Sequence, residues 1–297
     1  MLTIPDPSDL DEVIAFVVEQ QRRPDRNVAY LGTEVEGVTA ELEGLEPAWT
    51  SSARIARQDD RIVGAVAVEW DDEVGRSWIM GPWVAHDDDR WLPLAGELLD
   101  AALAQVPPAI ARHEMSGDTA NHHLAALAAA RGWWTTEVNH ALSVDEGIVA
   151  SWADGAHPTG ALRPATPDDV EAIRALHDAE FPGTYATAAQ LVEGQQDGSR
   201  VTLVVPDGAR GIAAYASGHV QDDGEGCLDF VVVHPDHHGQ GLGRLAITAI
   251  ARELLPRAPL RRMALTVQDH RAPARGLYAA LGFRHEVSFV GYRSWEQ

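Results

Sequence analysis

In the second half of the chain the spacing of apolar positions changes in a way that specifies local structure. Val231, Val232 and Val233 follow one another without a polar break, the pattern of a buried strand end, and Pro235 stops the strand. From Leu242 onward, Leu242, Leu245, Ile250 and Leu254 fall on or near one face at helical spacing, with Pro256 as the stop. Residues 263–267 then read as a strand and 272–281 as a short helix, with Pro273 in its first turn and Gly282 in the left-handed position beyond its end. The first half repeats much of this order. Ser8 and Thr166 each open an amphipathic helix behind a capping side chain, and residues 61–68 and 209–216 each read as a strand after a turn. Residues 82–84 parallel 231–233, and 127–133 parallel 277–283, at offsets of about 147 to 150 residues. Between the halves, residues 145–163 carry Gly, Pro and Ser with no sustained period. The boundaries expected are therefore 1–145, a linker at 146–162, and 163–297.

Between the Val231–Val233 strand end and the helix at Leu242, glycines recur at Gly239, Gly241 and Gly243. Glycines there let backbone N–H groups converge on an anion, and the new helix points its positive end at the same place. A phosphate-bearing ligand is the reading this physics favours. A Walker loop is excluded, because it needs Gly-Lys-Ser/Thr and the chain has no lysine. A dinucleotide fingerprint needs its glycines spaced G-x-G-x-x-G, which this segment lacks.

Two motifs carry a family resemblance. Val233, Pro235, Gly239, Gly241 and Gly243 match the V-x-P-x-x-R/Q-G-x-G-x-G/A signature of the GNAT N-acetyltransferases, with His238 where Arg or Gln is usual. Residues 274–283, ARGLYAALGF, resemble that family's A-x-x-L-Y-x-x-L-G-F motif, with Arg271 where Asn is usual. The resemblance implies an α/β (α+β) fold of two GNAT-like domains, each a mixed, mostly antiparallel sheet flanked by helices, in a layout similar to that of mycothiol synthase. It implies acetyl-CoA as co-substrate, held by Val231, Val232, Val233, His238, Gly239, Gln240, Gly241, Leu242, Gly243, Arg244 and Arg271, with no metal. It also implies N-acyl transfer to a primary amine of a small molecule, with Tyr278 as proton donor to the leaving thiolate. A non-catalytic acyl-CoA-binding scaffold is the alternative.

The base is less directly marked. Where many family members carry a strand carboxylate this chain has Cys227. Asp229 lies two residues on, and Glu225 and His219 are further candidates; Asp229 is placed first. Acceptor contacts are expected from residues 177–185, including Glu180, Phe181 and Tyr185, and from 286–292. The first copy is degenerate at the loop: Arg90, Leu92 and Leu94 replace the glycines, behind Asp87, Asp88 and Asp89, so it is not expected to bind CoA.

Charge and cysteine content add limits. Residues 1–146 hold 27 Asp and Glu against 10 Arg, a net of −17, and residues 147–297 hold 18 against 13, a net of −5. That argues against nucleic acid as a partner. The single cysteine, Cys227, suits a reducing cytoplasm, and no stretch approaches the ~20 apolar residues of a membrane span. A monomer built as a pseudo-dimer, or a homodimer, is expected.

Overall fold

The structure is a computed structural model that describes residues 2–296 except 30, 73–74, 88, 153–161, 183, 209–210 and 222–223. Most of the expected linker and Asp88 lie outside the described residues. The chain divides by contacts into two units, Met1–Asn139 with Val287–Gln297, and His140–Glu286.

In the first unit the elements run β1 (Leu2–Thr3), α1 (Leu10–Gln21), α2 (Val35–Glu43), α3 (Trp49–Ser52), β2 (Arg54–Gln58), β3 (Arg61–Asp71), β4 (Arg76–Val84), α4 (Trp91–Leu103), β5 (Arg112–Asp118), α5 (His122–Ala130) and β6 (Trp134–Thr135). The second unit holds β7 (Asn139–Asp145) from His140 onward, then α6 (Glu146–Ala150), β8 (Arg163–Pro164), α7 (Val170–Glu180), α8 (Ala188–Asp197), β9 (Val201–Asp207), β10 (Gly211–Val220), β11 (Gly226–Val233), α9 (Leu242–Leu254), β12 (Arg262–Gln268), α10 (Ala272–Ala280) and the start of β13 (Arg284–Arg293).

Strands β1 to β4 pair antiparallel in sequence order, and β5 joins β4 in parallel. The other edge of β5 is covered by the end of β13, from Phe289 opposite Asp118 to Arg293 opposite Glu114. Val290 and Tyr292 thereby enter the core beside Leu98, Leu99, Leu124 and Leu127 of α4 and α5. The second unit repeats the plan in the order β8–β9–β10–β11–β12–β7, with β11 and β12 the parallel neighbours. Helices α7 and α8 pack on one face over Tyr215, Phe230 and Val232; α9 packs on the other over Leu203, Leu228 and Leu265. Each unit is thus a mixed, mostly antiparallel sheet flanked by helices.

Two boundaries differ from those read in the sequence. Residues 287–297 belong with the first unit, because a strand carries no sequence mark of which sheet it completes. The first part of the expected linker is helix α6. Val149 and Trp152 are buried in the second unit's core, and the Trp152 indole donates to the Leu281 carbonyl at 2.8 Å.

The start of α7 is fixed by charge. Asp169, itself buried, accepts both guanidinium branches of Arg163 at 2.7 and 2.8 Å and the N–H and hydroxyl of Thr166 at 2.8 and 2.9 Å. The Arg163 hydrogen bonds lead in pulling its carboxyl down to about 2.

Two outcomes test these packings. Y292A should destabilise the first unit by about 3–5 kcal/mol through loss of a buried aromatic side chain. Urea unfolding followed by tryptophan fluorescence reports on it, since eight of the nine tryptophans lie in that unit. D169N should cost the chain about 1–2 kcal/mol at pH 7, a discounted figure because Arg163 is partly exposed. The native carboxyl is depressed, so its contribution is complete above the unfolded value near 4 and disappears as pH falls to about 2. Urea curves of D169N and wild type should therefore converge across that window.

Candidate active site

Strand β11 carries the site because it parts from its parallel neighbour. The two pair only at Gly226 opposite Met263 and Cys227 opposite Ala264, although β11 runs on to Val233 and β12 to Gln268. On its other side β11 stays paired with β10, ending with the His234 N–H on the Ala213 carbonyl at 2.8 Å. Antiparallel alternation then turns the backbone groups of Val231 and Val233 toward the open side. Of these, the Val233 carbonyl accepts the His238 imidazole Nε2–H at 2.9 Å.

The strand leads into the glycine segment. Gly239 and Gly241 hold φ of 75° and 80°, the left-handed region in which L side chains are strained, and Gly241 caps α9. Among the described residues the backbone N–H groups of 239–244 find no acceptor. Those of 242–244 are orphaned by their place in the first turn of a helix. Arg244 is exposed and has no ion pair among the described residues. His237, by contrast, is held by Asp207 at 3.0 Å. Gly243 serves packing: a Cβ there would lie 3.2 Å from Leu277, so the helix carrying the second motif seats directly on the loop.

Tyr278 lies one residue beyond that contact. Its ring is half-buried and meets Phe283 edge-on at 5.4 Å, and burial pushes the phenol up to about 12. The hydroxyl is therefore protonated at every ordinary working pH. Arg271 does not point its guanidinium at the loop. Its Nε donates to Gln268 at 3.0 Å, its two amino branches hold the carboxylate and carbonyl of Glu180, and it covers the Phe181 ring at 5.3 Å. It ties the end of α7 to the start of α10, where the sequence reading gives it the cofactor.

A bulge shapes the other half of the site. Ser217 faces Phe230 and Gly218 faces Leu228, leaving Asp229 without a cross-strand partner. Leu228 therefore packs under α9 while Phe230, two residues on, packs under α7. Only glycine fits opposite the bulge, because a Cβ on Gly218 would sit 2.3 Å from the Cys227 carbonyl oxygen.

The Asp229 side chain is 3 % exposed and fully engaged. One oxygen accepts the Tyr185 hydroxyl at 2.6 Å and the Cys227 thiol at 3.5 Å; the other accepts His219 Nδ1–H at 2.8 Å and pairs with Arg200. Burial pushes this carboxyl up, but the hydrogen bonds from His219 and Tyr185 and the charge of Arg200 more than offset it, and it is held below the ordinary value. Burial, followed by the Asp229 charge, pushes the Tyr185 phenol and the Cys227 thiol up. The ligand atoms of His219, Cys227 and Asp229 lie within 4.8 Å of one another, a spacing a metal ion could bridge, yet Arg200 already neutralises the carboxylate and would repel a cation. Nearby, Phe181 and Tyr185 stack about Phe230 at 5.1 and 5.3 Å, and buried His177 donates to the Ala186 carbonyl and accepts from Tyr215. Glu225 is paired with Arg262, and Glu286 accepts the Ser143 hydroxyl. Sequence reasoning missed Arg200, which lies outside both motifs, 33 residues before the first and 74 before the second, and the bulge, whose one signal is Gly218 in a strand.

The first unit meets the same opening differently. There β4 and β5 stay paired over four residues, from Arg76 with Arg112 to Ile79 with Met115. Beyond them the chain itself fills the gap. Val28 bridges Gly117, the Ala29 N–H donates to the Ser116 carbonyl at 3.0 Å, and the Asp118 N–H to that of Asn27 at 3.2 Å. Buried Arg26 donates to the Val84 and His86 carbonyls at the end of β4 and pairs with Asp87. Asp87, expected to repel a pyrophosphate, is thus neutralised; the first obstacle to a ligand is the chain's own backbone.

Residues 170–283 match the family model described as the acetyltransferase (GNAT) family. Over these residues the chain is similar to the GNAT acetyltransferases. Solved structures share the fold over the whole chain. A GCN5-related N-acetyltransferase from Sphaerobacter thermophilus is 16 % identical with a TM-score of 0.65, covering 99 % of this chain and 95 % of that one. A tandem GNAT protein from the clavulanic acid biosynthesis pathway is 17 % identical with a TM-score of 0.54, covering 99 % and 98 %. A glucosamine N-acetyltransferase region of a fungal multi-domain β-N-acetylglucosaminidase is 17 % identical with a TM-score of 0.61, covering 98 % of this chain and 38 % of that one. At such identities the likeness is one of fold. No curated protein sequence matches the chain. Among the described residues no helix is long and apolar enough to cross a membrane.

Proposed function

We propose that the second unit is an acyl-CoA-dependent N-acyltransferase, moving acetyl from acetyl-CoA to the primary amine of a small molecule by direct attack. The observation that carries this reading is the unpaired edge of β11 running straight into a loop whose N–H groups have no acceptors among the described residues. An amide-bearing pantetheine arm suits the first feature, as an added strand would, and a pyrophosphate suits the second. Arg244 adds a positive charge at the same helix start.

Acetyl-CoA supplies the activated thioester. Val231 and Val233 offer the backbone groups that would pair with the arm and polarise the acyl carbonyl. Tyr278 gives the departing thiolate its proton. Phe181 and Tyr185, stacked on buried Phe230, offer an aromatic wall to the acceptor, and the acidic composition favours a cationic amine over an anionic one. One fold neighbour is described as acetylating glucosamine, an amine of this class.

Thiol release from acetyl-CoA across a panel of small amines tests the reading. An acceptor-dependent signal is expected, and Y278F should lower kcat about 10²-fold or more with acetyl-CoA affinity kept within about twofold. Tight acetyl-CoA binding without release over the panel would instead make the chain a non-catalytic acyl-CoA binder. Calorimetric titration of the full chain should give one acetyl-CoA per chain, since residues 26–29 occupy the first unit's gap; a stoichiometry of two would sink that part. In the same titration G241A should bind about tenfold more weakly, because alanine at a left-handed φ costs about 1–2 kcal/mol.

A further inference from the structure

We propose that His219 is the general base of the acyl transfer and that Asp229 is the positioning residue that fixes its tautomer, an inference that rests on the acyltransferase reading. The sequence puts the base on Asp229, but both oxygens of that carboxylate are taken and the side chain is almost wholly buried. Within the cluster His219 is the basic group with access to solvent, its side chain 30 % exposed. Its Nδ1–H is committed to Asp229, so its Nε2 carries the lone pair. His219 is also the cross-strand partner of Cys227, the position at which the family resemblance leads one to expect a carboxylate. The imidazole therefore stands beside the place the missing base would have held. The thiol cannot replace it, because burial and Asp229 keep it protonated.

The groups around the imidazole are Asp229 and Cys227 of β11, Glu225 just ahead of that strand and acting on Cys227, Arg200 at the entrance to β9, and Tyr185 ahead of α8. Arg200 and Tyr185 hold Asp229 ionised, which keeps a hydrogen-bond acceptor opposite Nδ1. In the reaction, Nε2 takes a proton from the acceptor ammonium, directly or through a water. The freed nitrogen pair forms the N–C bond at the acyl carbon and the C–S bond breaks. Tyr278 gives its hydroxyl proton to the thiolate, and the proton shed by the new amide nitrogen restores the tyrosine. The imidazolium releases its proton to solvent.

The test uses the full chain at saturating acetyl-CoA, with an amine that the wild type acetylates. H219Q keeps an N–H for Asp229 but has no basic nitrogen, and thermal melting checks its fold. It should lose about 10²–10³-fold in kcat with the KM for acetyl-CoA within about twofold, and the acidic limb of its pH–rate profile should flatten. D229N should lower kcat about tenfold or more, and ¹⁵N spectra of the imidazole should show the Nδ1–H form in the wild type and its loss in D229N. An H219Q enzyme with the wild-type rate and pH profile, or a wild-type imidazole carrying its proton on Nε2, overturns this inference alone. A wild type that releases no thiol overturns the acyltransferase reading and this inference with it.

Discussion

Two parallel strands that begin paired and then separate leave a row of backbone donors and acceptors without partners, and much of this protein follows from how that row is satisfied. Buried N–H and C=O groups left unpaired are costly. In the second unit the ladder ends at Cys227 with Ala264, and the β11 edge beyond it is available to an extended ligand carrying amides. In the first unit the gap opens two residues later and residues 27–29 fill it, with the Arg26 guanidinium on the carbonyls at the strand end. The same constraint therefore has an intramolecular answer in one copy and leaves room for an intermolecular one in the other.

Filling the gap makes its own demand on the sequence. Backbone approaching backbone leaves no room for a side chain, and a Cβ at Gly117 would come within 2.8 Å of the Asn27 carbonyl oxygen. Gly218 answers a similar demand in the second unit, where the bulge at Asp229 pushes the Cys227 carbonyl toward β10. That bulge matters beyond its geometry. It carries a carboxylate into a buried position from which Arg200, His219, Tyr185 and Cys227 can all be reached. A buried anion is tolerated only when so compensated. The compensation then decides which member of the cluster is left with a basic nitrogen.

Legibility followed distance along the chain. The glycine segment, the helix at Leu242, the strand before it and the helix bearing Tyr278 were readable because each is a local pattern with a local physical cause. The duplication was readable because the same local patterns recur. What escaped were features made by residues far apart. Arg200 meets Asp229 across 29 positions, and Arg271 meets Glu180 across 91. Residues 287–297 complete a sheet begun at the other end of the chain, and Arg26 reaches the end of β4 across 58. Trp152 escaped for another reason: its neighbours in the sequence have linker composition, while its own indole is buried and held by the Leu281 carbonyl. Asp87 reads in the sequence as a bare repelling charge because its partner, Arg26, is 61 positions away.

The uneven charge fits this division of labour. A donor that carries phosphates is repelled by a net of −17 far more than by a net of −5, and the excess of carboxylates lies in the half whose gap is already filled. Screening at physiological salt shortens the reach of any one exposed charge to about 8 Å, so the difference acts through local surroundings and not through the total. Locally, the loop of the second unit has Arg244 exposed on the first turn of α9, while Asp207 is turned toward His237. The counterpart in the first unit has Asp87 over a buried guanidinium, a pair that closes the strand end without leaving positive charge for a ligand. Negative charge is thus densest in the half whose gap its own backbone fills, and sparser in the half where the backbone of 239–244 presents its donors.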